Sequence, residues 1–551
     1  MNTKVIQMRS AKRNRAIRKR RRGGGSPLKS FPMIRILLIV LLVLAALSPL
    51  LTFTRLLQMK EWRWDRLRAH LQREGWFRQL FGIVRPIFVG IGLLLSTTSP
   101  LLPEEWPLTP RSILLGTWGL LAWFTLFRSV LGNQKRPVWT KKAISVALLA
   151  FLLLIVTASL FIRFEEMFFG GIVLLLLPLF SFVFVSAALI LLLPFDRILK
   201  ARVLRQAQAI RRKFPHLTVI GITGSVGKTT TKELLAHIVS DRKILITPSH
   251  VNTEMGVADL MIRKLKEEHS LFIVEMGAYR RGEIKLLCSL VSPQIGVITF
   301  IGNQHLALFG SREDLCRSKG ELFQALPPEG HAFLNADSEG CDLLSSLASC
   351  PVHTVGTGGH ASYEAYDIQE NAEGISFTVR GVPFRVPLHG THQVTNVLLA
   401  AAVAEVLTIP LTESAKRLQG FTGLPQTFEM KTGKRGQVVL DDTHNASSAS
   451  FRAAIEWARA HSAKTKILVT SGLIELGGAE GPVCQELGLH SREVFNEVIF
   501  LDKKCAQYFE QGFGRSVYVP RRGKFKVTVE NDMLFVCEGR MPEWIVPKLL
   551  S

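Results

Sequence analysis

Five apolar stretches punctuate the first 200 residues of this 551-residue chain, near residues 33–53, 82–102, 112–130, 143–162 and 170–194. Each is long enough to cross a hydrocarbon core of about 30 Å, which takes roughly 20 helical residues. In hydrocarbon every backbone N–H and C=O must be satisfied within the segment, so stretches like these fold as helices. Charge is segregated along the same boundary. Residues 1–213 hold 34 basic and 8 acidic side chains, a net of +26, and the remaining 338 hold 34 and 36, a net of −2. A basic chain reads as a nucleic-acid binder when its charge covers a folded face. Here the charge borders apolar runs and reads as membrane topology, so the lipid bilayer is expected as a partner and nucleic acid is not.

The loops orient the crossings. Residues 54–80 carry seven basic side chains, residues 128–142 five and residues 197–213 seven, while Glu104, Glu105, Glu165 and Glu166 occupy the intervening turns. Excess Lys and Arg mark the cytoplasmic side, so four crossings, from the second stretch to the fifth, leave both flanks inside. The first stretch fits less easily, because a fifth crossing would export eleven basic residues. Three explanations stand: a re-entrant or interfacial segment broken at Pro49, loops that outvote the tail, or translation beginning at Met33. The first stretch lacks the small-residue cleavage site of a signal peptide. The seven cysteines all follow residue 213 without a C-x-x-C pair, which disfavours zinc ribbons and disulfide frameworks.

Beyond the basic segment, FPHLTVIGITGSVGKTTTKELLAHIV reads as a β-branched strand, a glycine turn and an amphipathic helix from Lys228. That arrangement wraps backbone N–H groups around phosphates, with a lysine for the outer phosphates and a hydroxyl for Mg²⁺. Gly224, Ser225, Gly227, Lys228, Thr229 and Thr230 are therefore the candidate nucleotide-binding residues. Ile222 stands where the common G-x-x-x-x-G-K-[ST] form has its first glycine.

The variant T-G-S-x-G-K-T-T resembles the Mur ligase superfamily, ATP-dependent ligases that add amino acids to cell-wall precursors. Further segments resemble it in the family's order: TPSHVNTEMGV, FIVEMGAYRRGEI, IGNQHLALFGSREDLCRSKGELF, FLNADSE, LHGTHQVTNVLLAAAVAEVL and DDTHNASSASFRAAI. VEMGAYRRGEI, FGSREDLCRSKGELF and LIELG are most similar to the D-alanyl-D-alanine-adding branch. The resemblance covers about residues 217–551. It implies metal ligands at Thr229, Glu275, His305 and a carbamylated Lys319, adenine contact at Asn335, and nucleotide-facing Asp442 and Asn445. Lys228, Lys319 and His305 would then carry the catalysis. Plainer readings exist for each: a solvated strand end for Glu275, a turn residue for His305, the wet face of an amphipathic helix for Lys319, and local turns for Asn335 and Asp442. His392 would begin a helix.

The chemistry explains the residue types. Carboxylates are poor acyl donors at neutral pH, so the family moves the γ-phosphoryl of ATP to a carboxylate, and an amine then displaces phosphate. Positioning and charge stabilisation by lysine and Mg²⁺ suit that reaction. The resemblance also shows departures. Gln393 replaces an asparagine, LPQTFEM from Leu424 to Met430 replaces a P-x-x-G-R-x-E-like linker and loses its arginine, His444 replaces a tyrosine, and Gly472-Leu473 replaces Gly-Asp.

The expected fold class is an α-helical membrane region followed by α/β, with a P-loop central domain and a Rossmann-like C-terminal domain. The parts are a basic tail (1–32), a region of four or five membrane helices (33–196), a basic linker (197–213), a central ATP-binding domain (214–422) and a C-terminal domain (423–551). Soluble family members carry an N-terminal domain that grips a UDP-sugar, and the loops before Lys213 are too short for one. The expected function is a membrane-anchored, ATP- and Mg²⁺-dependent amide ligase of envelope or capsule biosynthesis at the bacterial inner membrane. It would join a carboxylate acceptor, lipid-linked or polymeric, to an amino acid or short peptide. A poly-γ-glutamate-like synthetase and a non-ligating ATP-binding scaffold or export component are the alternatives.

Overall fold

The computed structural model describes residues 31–99, 109–132, 134–164, 168–302, 309, 311–338, 340–371, 373–444, 447–473, 480–501, 503–520, 525 and 527–551. The chain divides into two compact units, up to Leu199 and from Lys200.

The first unit is helical. Among the described residues, four helices are long and apolar enough to cross a membrane: Met33–Met59, Pro110–Val130, Lys141–Phe164 and Ser181–Arg212, the last running on into the second unit. Their number lies within the expected four or five, while their bounds differ from the apolar stretches. The second apolar stretch forms only Val84–Thr98, about 22 Å at 1.5 Å per residue. Its C-cap, Ser99, still has helical backbone and donates its N–H to the Leu95 carbonyl, and residues 100–108 lie outside those described. The first stretch is instead a continuous helix, Phe31–Met59, that runs through Pro49 without breaking. Losing one backbone donor there costs less than unpacking a segment that buries Leu38, Leu42, Leu50 and Leu57. The Gln58 side chain exchanges two 2.8 Å hydrogen bonds with the Val138 backbone, and Gln134 donates to the Ser48 carbonyl, tying the helix to the 134–140 segment. The fifth stretch is two helices, Phe168–Leu176 and Ser181–Arg212. The basic segment continues the second of these to Arg212.

The second unit holds two sheets. The larger has strands β1 (Thr218–Thr223), β2 (Ile244–Ile246), β3 (Leu271–Glu275), β4 (Ile295–Ile298), β5 (His331–Asn335), β6 (Val352–Gly356), β7 (Tyr363–Asn371), β8 (Gly374–Val379) and β9 (Val382–Val386). Their order is β2-β3-β1-β4-β5-β6-β7-β8-β9, parallel up to β7 and antiparallel after it. Alternation sends Ile220, Ile222 and Ile273 into one core and Val219, Phe272 and Val274 into another, as a parallel sheet covered on both faces requires. The chain moves to opposite sides of β1 for β3 and β4, so the crevice past their carboxyl ends is where ligands gather in such sheets. Arg211 secures the leading helix, with its guanidinium donating to the carbonyls of Val291, Phe214 and Leu217.

The smaller sheet, β10 (Glu429–Thr432), β11 (Val438–Asp442), β12 (Thr465–Thr470), β13 (Glu497–Phe500) and β14 (Met533–Glu538), has the order β10-β11-β14-β12-β13 with only β10 antiparallel. Register pairs Asp442 with Glu538 at adjacent strand ends. Glu538 is fully buried, and neither of its carboxyl oxygens nor Asp442 Oδ2 meets a donor. One proton held between the two carboxyls resolves this. Burial raises both, Asp442 to about 6 with the Asp441 charge adding to it, and the Asp442 charge and hydrogen bond raise Glu538 further while that bond holds Asp442 down. A carboxyl whose folded pKa is raised above its unfolded value stabilises the fold at low pH, and that contribution is lost as pH rises through the folded pKa. The chain should therefore lose thermal stability between pH 5 and pH 8. Glu538→Gln, whose amide can donate to Asp442, should flatten that slope and raise the melting midpoint at pH 8 by several degrees. An unchanged slope by scanning calorimetry would remove the shared proton.

Candidate functional site

The loop between β1 and the helix Lys228–Ile238 is shaped by two glycines. Gly227 has φ +85° at the helix N-cap, and Gly224 has φ +148°. A Cβ at Gly227 would collide with the Asn396 amide, and one at Gly224 with the Thr299 hydroxyl. Both are thus fixed by space as well as by backbone conformation. The extension of β4 pins the loop: Ser225 N–H donates to the Phe300 carbonyl at 2.8 Å, and Thr299 Oγ1 donates to the Val226 carbonyl. The helix starts without a side-chain cap, so its first N–H groups form a positive end suited to an anion. Ser225 Oγ is buried without a hydrogen-bond partner, and Thr230 is buried in the first turn. Lys228 folds back over the loop and donates to the Gly224 and Ser225 carbonyls at 2.9 and 3.0 Å.

Glu275, the last residue of β3, is 4% exposed and sits among donors. Thr229 Oγ1 donates to its Oε2 at 2.9 Å, and Asn252 Nδ2 donates to its Oε1 at 3.2 Å. The fully buried Lys232 lies 3.5 Å from Oε2 and donates to the Thr247 carbonyl at 2.7 Å. Burial alone would raise the Glu275 carboxyl, but the charges of Lys228 and Lys232 and the Asn252 and Thr229 hydrogen bonds hold it below its ordinary value. It is an anion with hard oxygen donors beside it, a set that suits Mg²⁺.

Lys319 lies in the helix Arg312–Gln324 and is 1% exposed, so it is not on a wet face. Burial, then the nearby Lys228 charge, bring its ammonium down to about 7, with Glu275 among the carboxylates that oppose the shift. Lys228, Thr229, Glu275 and Lys319 are therefore brought together. Asn335 ends β5, two strands from β1 at the same sheet edge, and its Oδ1 accepts the Asp337 N–H at 2.9 Å in a local turn. Asp442 belongs to the smaller sheet and accepts the Phe428 N–H at 3.2 Å. His392 precedes the helix Gln393–Val406, packs on Phe428, and is drawn down to about 4 by burial. His305 and Asn445 lie outside the described residues. Among the described residues, no three His, Cys, Asp or Glu side chains cluster as a metal site.

Four contributors carried no individual sequence signal. Lys232 looks like an exposed helix lysine, and Asn252 and Asn396 look like loop and helix polar residues. His250 stacks on His444 across about 190 residues of chain, with ring centroids 5.1 Å apart. The i, i+4 spacing of Lys228 and Lys232, which puts both on one helix face, was the only available hint.

Comparison with known proteins agrees with this geometry. A family model described as the Mur ligase middle domain matches residues 222–404. The UDP-N-acetylmuramoyl-tripeptide--D-alanyl-D-alanine ligase of Bacillus subtilis is 33% identical over 274 residues, covering 49% of this chain and 59% of that one. The Synechocystis ligase of the same name is 33% identical over 301 residues, covering 53% and 63%. The chain thus spans about three fifths of the length of these relatives. MurF from Acinetobacter baumannii superposes with a TM-score of 0.58 at 24% identity, covering 64% of this chain and 80% of that one, and shows the shared fold. Residues 222–404 thus match the Mur ligase middle domain, and the chain is similar over that region and beyond it to MurF-type ligases.

Proposed function

We propose that this chain is an ATP-dependent carbon–nitrogen ligase of envelope biosynthesis, anchored in the membrane by its apolar helices, which activates a carboxylate as an acyl phosphate and joins it to an amine. The observation that carries this reading is the assembly of a glycine-shaped loop, an uncapped helix N-terminus, Lys228 and the Thr229–Glu275 pair in one crevice. ATP phosphates fit the loop 224–227 and the first N–H groups of the helix. Lys228 is held by two carbonyls that a phosphate would outcompete for a full positive charge. Thr229 and Glu275 would hold Mg²⁺, which supplies charge neutralisation between phosphoryl oxygens when bound. Two anions, ATP and the carboxylate substrate, must meet here, so lysine charge and excluded water matter more than covalent help from the protein. The amine nitrogen then bonds the activated carbonyl carbon, and phosphate leaves with the electron pair of the broken C–O bond.

Phosphate release should require acceptor and amine together, and Lys228→Ala should lower it by at least roughly hundredfold. UDP-N-acetylmuramoyl-tripeptide and D-alanyl-D-alanine are the substrates to try first, since the relatives' names specify them. Equal release by both proteins would refute the ligase. For Lys319, an amine near pH 7 is uncharged often enough to add carbon dioxide, which would convert a buried cation into an oxygen ligand. Protein equilibrated with ¹³C-bicarbonate should show a carbamate resonance that fades below pH 7 and is missing in Lys319→Met. A resonance retained in that variant would place the carbamate elsewhere.

The acceptor is inferred to arrive at the bilayer. Outward-facing Leu120, Trp123, Leu148, Leu152 and Leu160 of the first unit are exposed, a surface that lipid solvates and water does not. The helix that opens the second unit turns Arg202, Arg205, Arg212 and Lys213 outward, opposite the face of Val203, Leu204 and Ala207 that joins its core. Such a stripe suits anionic headgroups. A muramoyl peptide on a polyprenyl carrier should therefore be used with at least tenfold higher kcat/KM than the same peptide on UDP, worth about 1.4 kcal/mol of differential recognition. Equal use of the two would remove the lipid-delivered acceptor and leave the ligase.

A further inference from the structure

A cavity of about 610 Å³ opens between the two sheet domains of the second unit, lined by His250 from the larger and by Thr443, His444, Arg540, Met541 and Val546 from the smaller. It adjoins the reaction centre. His250 is two residues from Asn252, which donates to Glu275, and His444 lies within electrostatic reach of Glu275 itself. His444 is held in place, with its backbone N–H donating to the Gln426 carbonyl at 3.0 Å and its ring stacked on His250 at a 30° tilt. Its ring is half-buried at the cavity wall.

Amide formation leaves a proton to remove. When an amine adds to an acyl phosphate, the nitrogen of the adduct carries a positive charge and is far more acidic than the free ammonium. A weak base that is uncharged at neutral pH is enough to take its proton, and efficiency peaks when that base titrates near the working pH. Resting on the ligase reading above, we propose that the cavity admits the amine substrate and that His444 is its proton acceptor. The N–C bond forms, the proton passes from nitrogen to the free imidazole nitrogen of His444, and phosphate departs with the C–O electron pair. Solvent in the cavity then takes the proton from the imidazolium.

The groups facing His444 suit that role. His250 and Arg540 stand on one side, Glu275 on the other, and Asp441, Lys431 and Glu543 line the rest of the cavity. Lys431 is already neutralised, 2.6 Å from Asp441 and 3.0 Å from Glu429. Arg540 is an exposed cation at the cavity wall, placed to discourage a second proton on the imidazole. Burial, then His250 and Arg540, lower the His444 pKa against the pull of Glu275, so the ring is uncharged at neutral pH.

The test uses the full chain in lipid nanodiscs with ATP, Mg²⁺ and the muramoyl tripeptide in both its UDP-linked and polyprenyl-linked forms. Two nucleophiles are compared: D-alanyl-D-alanine, and hydroxylamine, whose adduct loses its proton to water without help. His444→Gln and His444→Tyr should each lower amide formation about hundredfold, flatten the acid limb of its pH profile, and leave hydroxamate formation unchanged. Equal loss with both nucleophiles, or no loss with either, would overturn the assignment of His444. A wild-type chain that forms neither product from either acceptor would instead sink the ligase reading and this proposal with it.

Discussion

A single buried carboxylate organises the second unit. Placing Glu275 at 4% exposure costs several kcal/mol of lost hydration, and the fold offsets it by converging two other segments on the strand end. The helix after the glycine loop brings Lys228, Thr229 and Lys232, the segment after β2 brings Asn252, and Thr247 accepts the Glu275 N–H through its hydroxyl while its carbonyl receives Lys232. Removing any of these leaves a buried charge less compensated. The position of the loop is therefore coupled to the needs of one side chain.

What was legible in the sequence was local. The helix begins at Lys228 because Gly227 is the only residue type that fits its N-cap, and Glu275 ends a strand because the apolar run stops there. Lys319 could be located by resemblance, but its burial could not, since EDLCRSKGELF has the pattern of a half-wet helix. Lys232, Asn252 and the His250–His444 stack were illegible for another reason: their partners lie between 15 and about 190 residues away, and no spacing rule encodes such pairs. Composition likewise left the bounds of the membrane helices open. The second apolar stretch is as hydrophobic as its neighbours, yet its described helix, Val84–Thr98, has only 15 residues. The first stretch drew suspicion from charges that precede it, while its own packing decides its helicity.

The joint between the two sheets of the second unit carries several departures from the pattern it resembles, and its geometry is costly. Gln426 and Phe428 both adopt left-handed backbone, φ +58° and +50°, a conformation that costs roughly 1–2 kcal/mol for each non-glycine residue. Such strain persists only where surroundings over-determine it. Here the Phe428 ring packs against His392 of one sheet domain and Trp457 of the other, its N–H donates to Asp442, and the Gln426 carbonyl accepts the His444 N–H.

Those contacts give the joint a chemical consequence. Asp442, through its proton shared with Glu538, holds Phe428 from one side, and His444, two residues on, holds Gln426 from the other. The buried carboxyl pair and the placement of the cavity imidazole are thus linked through the Gln426–Phe428 turn, two of whose three residues are strained. An arginine in this linker would contribute a mobile cation. The aromatic replacement contributes none and fixes the linker against both domains, so the cations that face the crevice are supplied by Lys228 from the glycine loop and Arg540 from the end of β14.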